Sequence, residues 1–145
     1  MLRRLLILLM KTVQFTAKFE HLDEIREFVG AIARDSGFSD KDVYNIQLAT
    51  DEAASNIIEH AYEKVPNGIL ELSCGVRDNQ ITIVLTDRGE SFDPSEIPLP
   101  DLKADLSNRK IGGLGIFLMR KLMDEVHYEA KSDRSNVLTM TKRKR

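Results

Sequence analysis

Carboxylate and amide side chains recur at helical spacing between residues 45 and 59. Drawn as a helix of about 100° per residue, the segment places Asn45, Glu52, Asn56 and Glu59 within roughly 60° of one another. Glu52 and Asn56 are four residues apart, so their head groups stand close together. Such side chains can take part in proton transfer or ion binding. From spacing alone, the same stripe also fits the solvent face of an ordinary helix.

A second feature is the glycine-rich segment Gly112-Gly113-Leu114-Gly115, which precedes a predicted buried helix over residues 116–123. Free backbone N–H groups at a helix start favour a phosphate, and glycine lets the backbone approach a ligand closely. A tight turn before a buried helix is the alternative. The segment is not a dinucleotide fingerprint, because Leu118 stands where the third glycine belongs. The sequence also contains no P-loop motif.

The third feature is Asp87-Arg88-Gly89, which directly follows an alternating, strand-like run. An aspartate at a strand end can present its carboxylate to a hydrogen-bond donor, and a glycine two residues later leaves room for a flat ring. The alternative is a turn in which Asp and Gly take their usual turn roles.

The elements that must position these residues follow from periodicity. Alternation predicts strands, and three- and four-residue recurrence predicts helices. The predicted order is strand 12–19, helix 22–37, helix 39–62, strands 70–76 and 81–85, polar segment 87–110, helix 116–123, and strands 126–130 and 137–141. This order predicts an α+β fold: a two-layer α/β sandwich with helices on one face of a mixed, mostly antiparallel sheet.

Composition limits the function classes. The 145 residues suit one domain, and 21 Lys and Arg against 23 Asp and Glu give a net charge of −2. We therefore expect no direct nucleic-acid binding. Cys74 is the single cysteine, which excludes a disulfide framework and a cysteine-based zinc site within the chain and suggests a cytoplasmic location.

The two ends of the sequence differ in character. Residues 1–10 read MLRRLLILLM, too short an apolar run for a spanning helix and without a cleavage site. We expect an upstream start or a loosely attached extension there, with a weak membrane-surface anchor or a partner-binding segment as the alternatives. We also expect a domain over residues 11–145 and no stable membrane insertion. The basic residues 142–145 are expected to be solvated.

Taken together, the three features resemble the motifs of one family. Glu52-x-x-x-Asn56-x-x-x-His60 resembles the N-box of the GHKL ATPases, which share the Bergerat fold, and the segments at 87–89 and 112–115 resemble their two glycine boxes. Within that superfamily the chain is most similar to the small anti-sigma-factor serine/threonine kinases. The resemblance spans residues 12–143, and its characteristic runs are LATDEAASNIIEHAY, DRGESFDP and GGLGIFLMRKLMDEV.

The resemblance implies a role for each matched position. It makes ATP and Mg²⁺ the cofactors, with Asn56 as the Mg²⁺ ligand and Glu52 as the catalytic base that accepts the proton of a Ser or Thr hydroxyl. Asp87 would accept from the adenine amino group, and Gly89 would give the ring space.

The remaining implied contacts are to the phosphates. Gly112, Gly113, Leu114 and Gly115 would cradle them together with the helix start, and Arg109 or Lys110 would reach the terminal phosphate. Family members also place a threonine on a late strand beside the adenine-binding aspartate. Here Asn136 and Thr139 compete for that place.

The function implied is an ATP-dependent kinase that phosphorylates an anti-sigma-factor antagonist and sequesters a sigma factor, by partner switching. A homodimer is common among such proteins. Histidine kinases share the ATP site but need a separate phosphoacceptor domain, for which 145 residues leave no room. The alternative is a regulatory module that binds ATP and a partner without phosphoryl transfer, in which Glu52 would be dispensable.

Overall fold

The computed structural model of the chain describes residues 10–62, 67–90 and 113–145. These residues form five strands and three helices, together with a 3₁₀ turn at Phe19–His21. The strands are β1 (Lys11–Thr16), β2 (Ile69–Arg77), β3 (Gln80–Asp87), β4 (Glu125–Ala130) and β5 (Asn136–Arg143). The helices are α1 (Leu22–Asp35), α2 (Asp40–Asn56), which continues into a π-helical turn (Ile57–Ala61), and α3 (Gly113–Leu122).

The strands form one sheet in the order β1-β2-β3-β5-β4, and each pairing between these described strands is antiparallel. One face of the sheet packs against the helices. The fully buried side chains on that face alternate along β2 and β3, as their sequence pattern predicts: Leu70, Leu72, Cys74, Ile81, Ile83 and Leu85. The predicted α+β architecture is thus confirmed, with helices on one face of an antiparallel sheet.

Local sequence determines the ends of several elements. Ser39 caps α2, since its hydroxyl accepts a hydrogen bond from the Asp42 backbone N–H. Asp78 and Asn79 form the tight turn between β2 and β3 with φ of 52° and 63°, as a two-residue hairpin requires. Cys74 is part of the core, and its burial raises the pKa of the thiol to about 12.

The prediction of a solvated basic tail is wrong for Lys142, whereas Arg143 and Arg145 are exposed. The Lys142 side chain is buried, and its Nζ donates to the Leu122 carbonyl at 2.7 Å, at the end of α3. Lys144 Nζ donates to the Ser36 carbonyl beyond α1 at 2.9 Å, and Arg145 pairs with Asp124. The ammonium groups satisfy carbonyls that a helix end leaves without partners.

The second helix also differs from its predicted form. Regular α-helix ends at Asn56, and the backbone continues to Ala61 with the wider π spacing. Ala61 thereby turns its carbonyl oxygen toward the loop after β3, where it accepts from the Glu90 N–H at 2.8 Å. A local pattern of apolar residues carries no signal for this long-range contact.

Candidate active site

Asp87 lies at the end of β3, 5% exposed, with its carboxylate held by two donors. The Gly89 backbone N–H and the Asn136 side-chain amide both donate to Oδ1, each at 2.9 Å. Burial raises the pKa of Asp87, and these two hydrogen bonds act in the opposite direction. Because both hydrogen bonds end on Oδ1, they fix the orientation of the carboxylate.

Gly89 packs against the π-helical turn. A methyl group on its Cα would lie on the Ala61 carbonyl oxygen, so the chain admits no side chain at this position. The sequence predicts that Gly89 leaves space for a flat ring. The structure shows a second reason for glycine here, which is the close approach of the Ala61 backbone. Tyr62 strengthens the same junction, because its hydroxyl donates to the Ile69 carbonyl and accepts from the Arg88 N–H, each at 2.7 Å.

Asp87 and Asn56 line the same pocket. Two polar side chains in an otherwise apolar wall can orient a flat, partly polar ring. The remaining lining residues come from α2 with its π-helical turn, α3, β4 and β5: Ala53, Ile57, Ile116, Met119, Val126, Tyr128 and Leu138.

Glu52 and Asn56 face the start of α3. A methyl group on the Cα of Gly115 would lie 3.0 Å from Glu52 Oε2 and 3.2 Å from Asn56 Nδ2. The Glu52 carboxylate, the Asn56 amide and the start of α3 therefore lie next to one another, as the resemblance to the family implies. Gly113 begins α3, and Leu114 lies between the two glycines in its first turn.

The side chains of Asn56 and Glu52 lie in surroundings that favour a polar ligand. Asn56 Nδ2 is buried and makes no hydrogen bond within the described part of the chain. A buried amide without a partner is costly unless a ligand completes it, so the site suits a polar ligand. The pKa of Glu52 is raised, first by burial and then by the negative charges of Asp51 and Glu59. A raised pKa brings a carboxylate closer to the range in which it can accept a proton near neutral pH.

The other predicted site residues lie outside the described residues: Gly112, Lys110 and its competitor Arg109. Two residues near Asp87 are not among the site residues that the sequence predicts. Asn136 was named only as a competitor of Thr139, and Tyr62 only as a helix end. Register separates Asn136 from Thr139, because Asn136 stands opposite Asp87 whereas Thr139 stands opposite Val84, on the other face of the sheet.

Comparison with known proteins agrees with this geometry. The family described as the histidine kinase-like ATPase domain matches residues 15–142, which is most of the chain. The chain therefore belongs to the histidine kinase-like ATPase family, and this membership implies that it uses ATP.

Individual proteins to which this chain is similar are named as serine-protein kinases. The RsbW protein of Halalkalibacterium halodurans is 36% identical over 139 residues, covering 91% of this chain and 83% of the relative. RsbW of Bacillus subtilis is 30% identical over 121 residues, covering 80% and 75%.

Solved structures show the same fold. A crystal structure of RsbU and RsbW domains from Mycobacterium tuberculosis aligns with a TM-score of 0.65 at 17% identity, over 92% of this chain and 32% of that one. A histidine kinase domain from Erythrobacter litoralis aligns with a TM-score of 0.54 at 17% identity, over 86% of this chain and 59% of that one.

Among the residues that the structure describes, no helix is long and apolar enough to cross a membrane.

Proposed function

We propose that the protein is an ATP- and Mg²⁺-dependent serine/threonine kinase of the anti-sigma type. Its substrate is a Ser or Thr hydroxyl of an antagonist protein, and it sequesters a sigma factor when that antagonist is not available. The relatives named as serine-protein kinases support the activity. The observation that carries the proposal is the convergence of Glu52, Asn56 and Gly115 beside the pocket that Asn56 and Asp87 line.

Asp87 and the apolar wall bind the base. The fixed carboxylate accepts a hydrogen bond from the exocyclic amino group of adenine, while the ring packs against side chains such as Ile116 and Met119. The phosphates extend from there toward Asn56 and the start of α3, where backbone N–H groups face anions. Gly113 and Gly115 keep this approach open.

Asn56 and Glu52 serve the transfer step. The amide of Asn56 is the proposed Mg²⁺ ligand, and the ion supplies neutralisation of the phosphate charge when it is bound. Glu52 orients the attacking hydroxyl and accepts its proton as the oxygen bonds to the terminal phosphorus and ADP departs. Because phosphoryl transfer depends mostly on positioning and charge stabilisation, Asn56 matters at least as much as Glu52.

The finer assignments belong to the same proposal. Gly112, Leu114 and either Arg109 or Lys110 complete the phosphate contacts, and residues 11–145 form the kinase domain. A cytoplasmic location and a homodimer follow the anti-sigma role. The partners are proteins, with no direct contact to nucleic acid.

The test is incubation with γ-labelled ATP, Mg²⁺ and candidate antagonist proteins encoded beside this one. We expect label on a Ser or Thr of one antagonist, lost in Glu52→Gln although that variant still binds Mg-ADP. If Glu52→Gln transfers phosphate at the wild-type rate, Glu52 is not the base. If the wild type binds Mg-ATP and a partner but never transfers phosphate, the protein is a binding module.

A further inference from the structure

Asn136 has a geometric relation to Asp87 that the motifs do not include. Asn136 opens β5 and stands directly opposite Asp87 in the sheet register, so the two side chains point to the same face. The Asn136 side chain is 1% exposed. Its Nδ2 donates to Asp87 Oδ1 at 2.9 Å and to the Gly89 carbonyl at 3.0 Å. One amide group thus ties the carboxylate to the loop that follows it.

We propose that Asn136 is a positioning residue that gives the site its preference for adenine over a 6-oxo purine, by holding the carboxylate of Asp87 with Oδ1 engaged and Oδ2 facing the base. This inference rests on the proposed function, since it presumes that the pocket receives a purine nucleotide.

The chemistry of the preference follows from the direction of the hydrogen bonds. An ionised carboxylate only accepts, so it pairs with the 6-amino group of adenine and opposes the 6-carbonyl oxygen of hypoxanthine. A protonated carboxyl group donates, and it would tolerate the carbonyl. The Asn136 amide donates to Asp87 and therefore favours the ionised, accepting form.

Burial acts against the ionised form of the Asp87 carboxylate. Desolvation raises the pKa of Asp87, while the Asn136 and Gly89 hydrogen bonds lower it. Removing the Asn136 donor leaves burial less opposed, so the pKa of Asp87 rises further. Other titratable groups lie nearby: Tyr62, whose hydroxyl accepts from the Arg88 N–H; Arg88, whose guanidinium donates to the Asp133 carbonyl; and Tyr128 of β4, which lines the same pocket as Asp87. Neither the Tyr62 hydroxyl nor the Arg88 guanidinium replaces the donor that Asn136 supplies to Oδ1.

The experiment compares the binding of Mg-ATP and Mg-ITP by calorimetry between pH 5 and pH 8. ITP carries the 6-oxo base on the same sugar and phosphates. The variants are Asn136→Leu and Asn136→Ala, which delete the donor, and Asn136→Thr, which keeps one hydroxyl donor. Thr139→Ala is the matched control on the same strand, because Thr139 stands on the opposite face.

We expect the wild type to prefer ATP over ITP, and the preference to fall about tenfold or more without the donor. In the wild type, ATP affinity is expected to fall toward low pH as Asp87 becomes protonated, and this fall is the acidic limb of the binding profile. In Asn136→Leu and Asn136→Ala, the acidic limb moves to higher pH. Asn136→Thr is intermediate, and Thr139→Ala is unchanged. A merely structural role would weaken both nucleotides equally and leave the pH profile in place.

Three results would overturn the inference. One is a wild type that binds ITP as tightly as ATP, which needs no variant to fold. Another is an unchanged preference in Asn136→Leu or, where leucine prevents folding, in Asn136→Ala. The third is an unmoved acidic limb. A wild type that binds neither nucleotide refutes the proposed function itself, whereas normal phosphate transfer with an unchanged preference refutes only the role of Asn136.

Discussion

Gly115→Ala is the perturbation whose effect can be worked out most fully. The added methyl group would lie 3.0 Å from Glu52 Oε2 and 3.2 Å from Asn56 Nδ2, where ordinary contact begins near 3.4 Å. The carboxylate and the amide must each retreat by a few tenths of an ångström. Since a misplacement of about 1 Å in an active site can cost about a hundredfold in rate, we expect phosphate transfer to fall about tenfold.

Stability should move the other way. Gly115 lies in the first turn of α3, where alanine keeps part of the advantage of about 1 kcal/mol that it has over glycine in a helix interior. The crowding of Glu52 offsets part of this gain. We therefore expect the melting temperature of the nucleotide-free protein to be unchanged or higher while activity falls. Loss of activity without loss of stability separates a disturbed site from a damaged fold.

The assay is the initial rate of phosphate transfer at saturating Mg-ATP, with melting followed in parallel. Gly75→Ala is the matched control, because its methyl group would also meet a neighbour at 3.0 Å, the flexible Met10 side chain, on β2 and far from the motifs. We expect Gly75→Ala to transfer phosphate normally. A folded Gly115→Ala protein with wild-type transfer would refute the inferred meeting of Glu52, Asn56 and α3.

Further predictions concern single groups. Asp87→Asn should weaken Mg-ATP binding about ten- to hundredfold by calorimetry. Burial raises the pKa of Asp87, so its ionisation destabilises the folded state as pH rises; the melting temperature of free Asp87→Asn should therefore equal or exceed that of the wild type at pH 7, and a clear drop would contradict this. Because the pKa of Glu52 is also raised, the rate of transfer should climb with pH through a midpoint higher than that of an ordinary glutamate, and a rate that does not change with pH would contradict this. Lys142→Met removes the donor to the Leu122 carbonyl and should lower stability by about 1 kcal/mol, measured by urea unfolding, with no change in nucleotide affinity.

The architecture was predictable where local pattern and burial agree. Alternation along β2 and β3 gives their buried faces, and the spacing of Glu52 and Asn56 gives their shared side of α2. The meeting of this side with Gly115 followed only from resemblance to a family, because spacing within one segment carries no information on which distant segment lies against it.

Contacts between distant segments were not predictable in the same way. Asn136 could be separated from Thr139 only once the β3–β5 register was known, since a shift of one residue exchanges the two faces of a strand. The π-helical turn and the Tyr62 hydrogen bonds depend on the loop after β3. Lys142 was predicted to be solvated from its charge alone, although a buried lysine is stable where its ammonium group meets a helix carbonyl.

A crystal structure with a non-hydrolysable ATP analogue and Mg²⁺ tests whether one nucleotide joins all these groups. We expect the adenine amino group on Asp87, the ion on the Asn56 amide, the phosphates at the start of α3 and the terminal phosphate on the Glu52 side. An analogue bound elsewhere, or with its base away from Asp87 and its phosphates away from Asn56, would contradict the proposed kinase site.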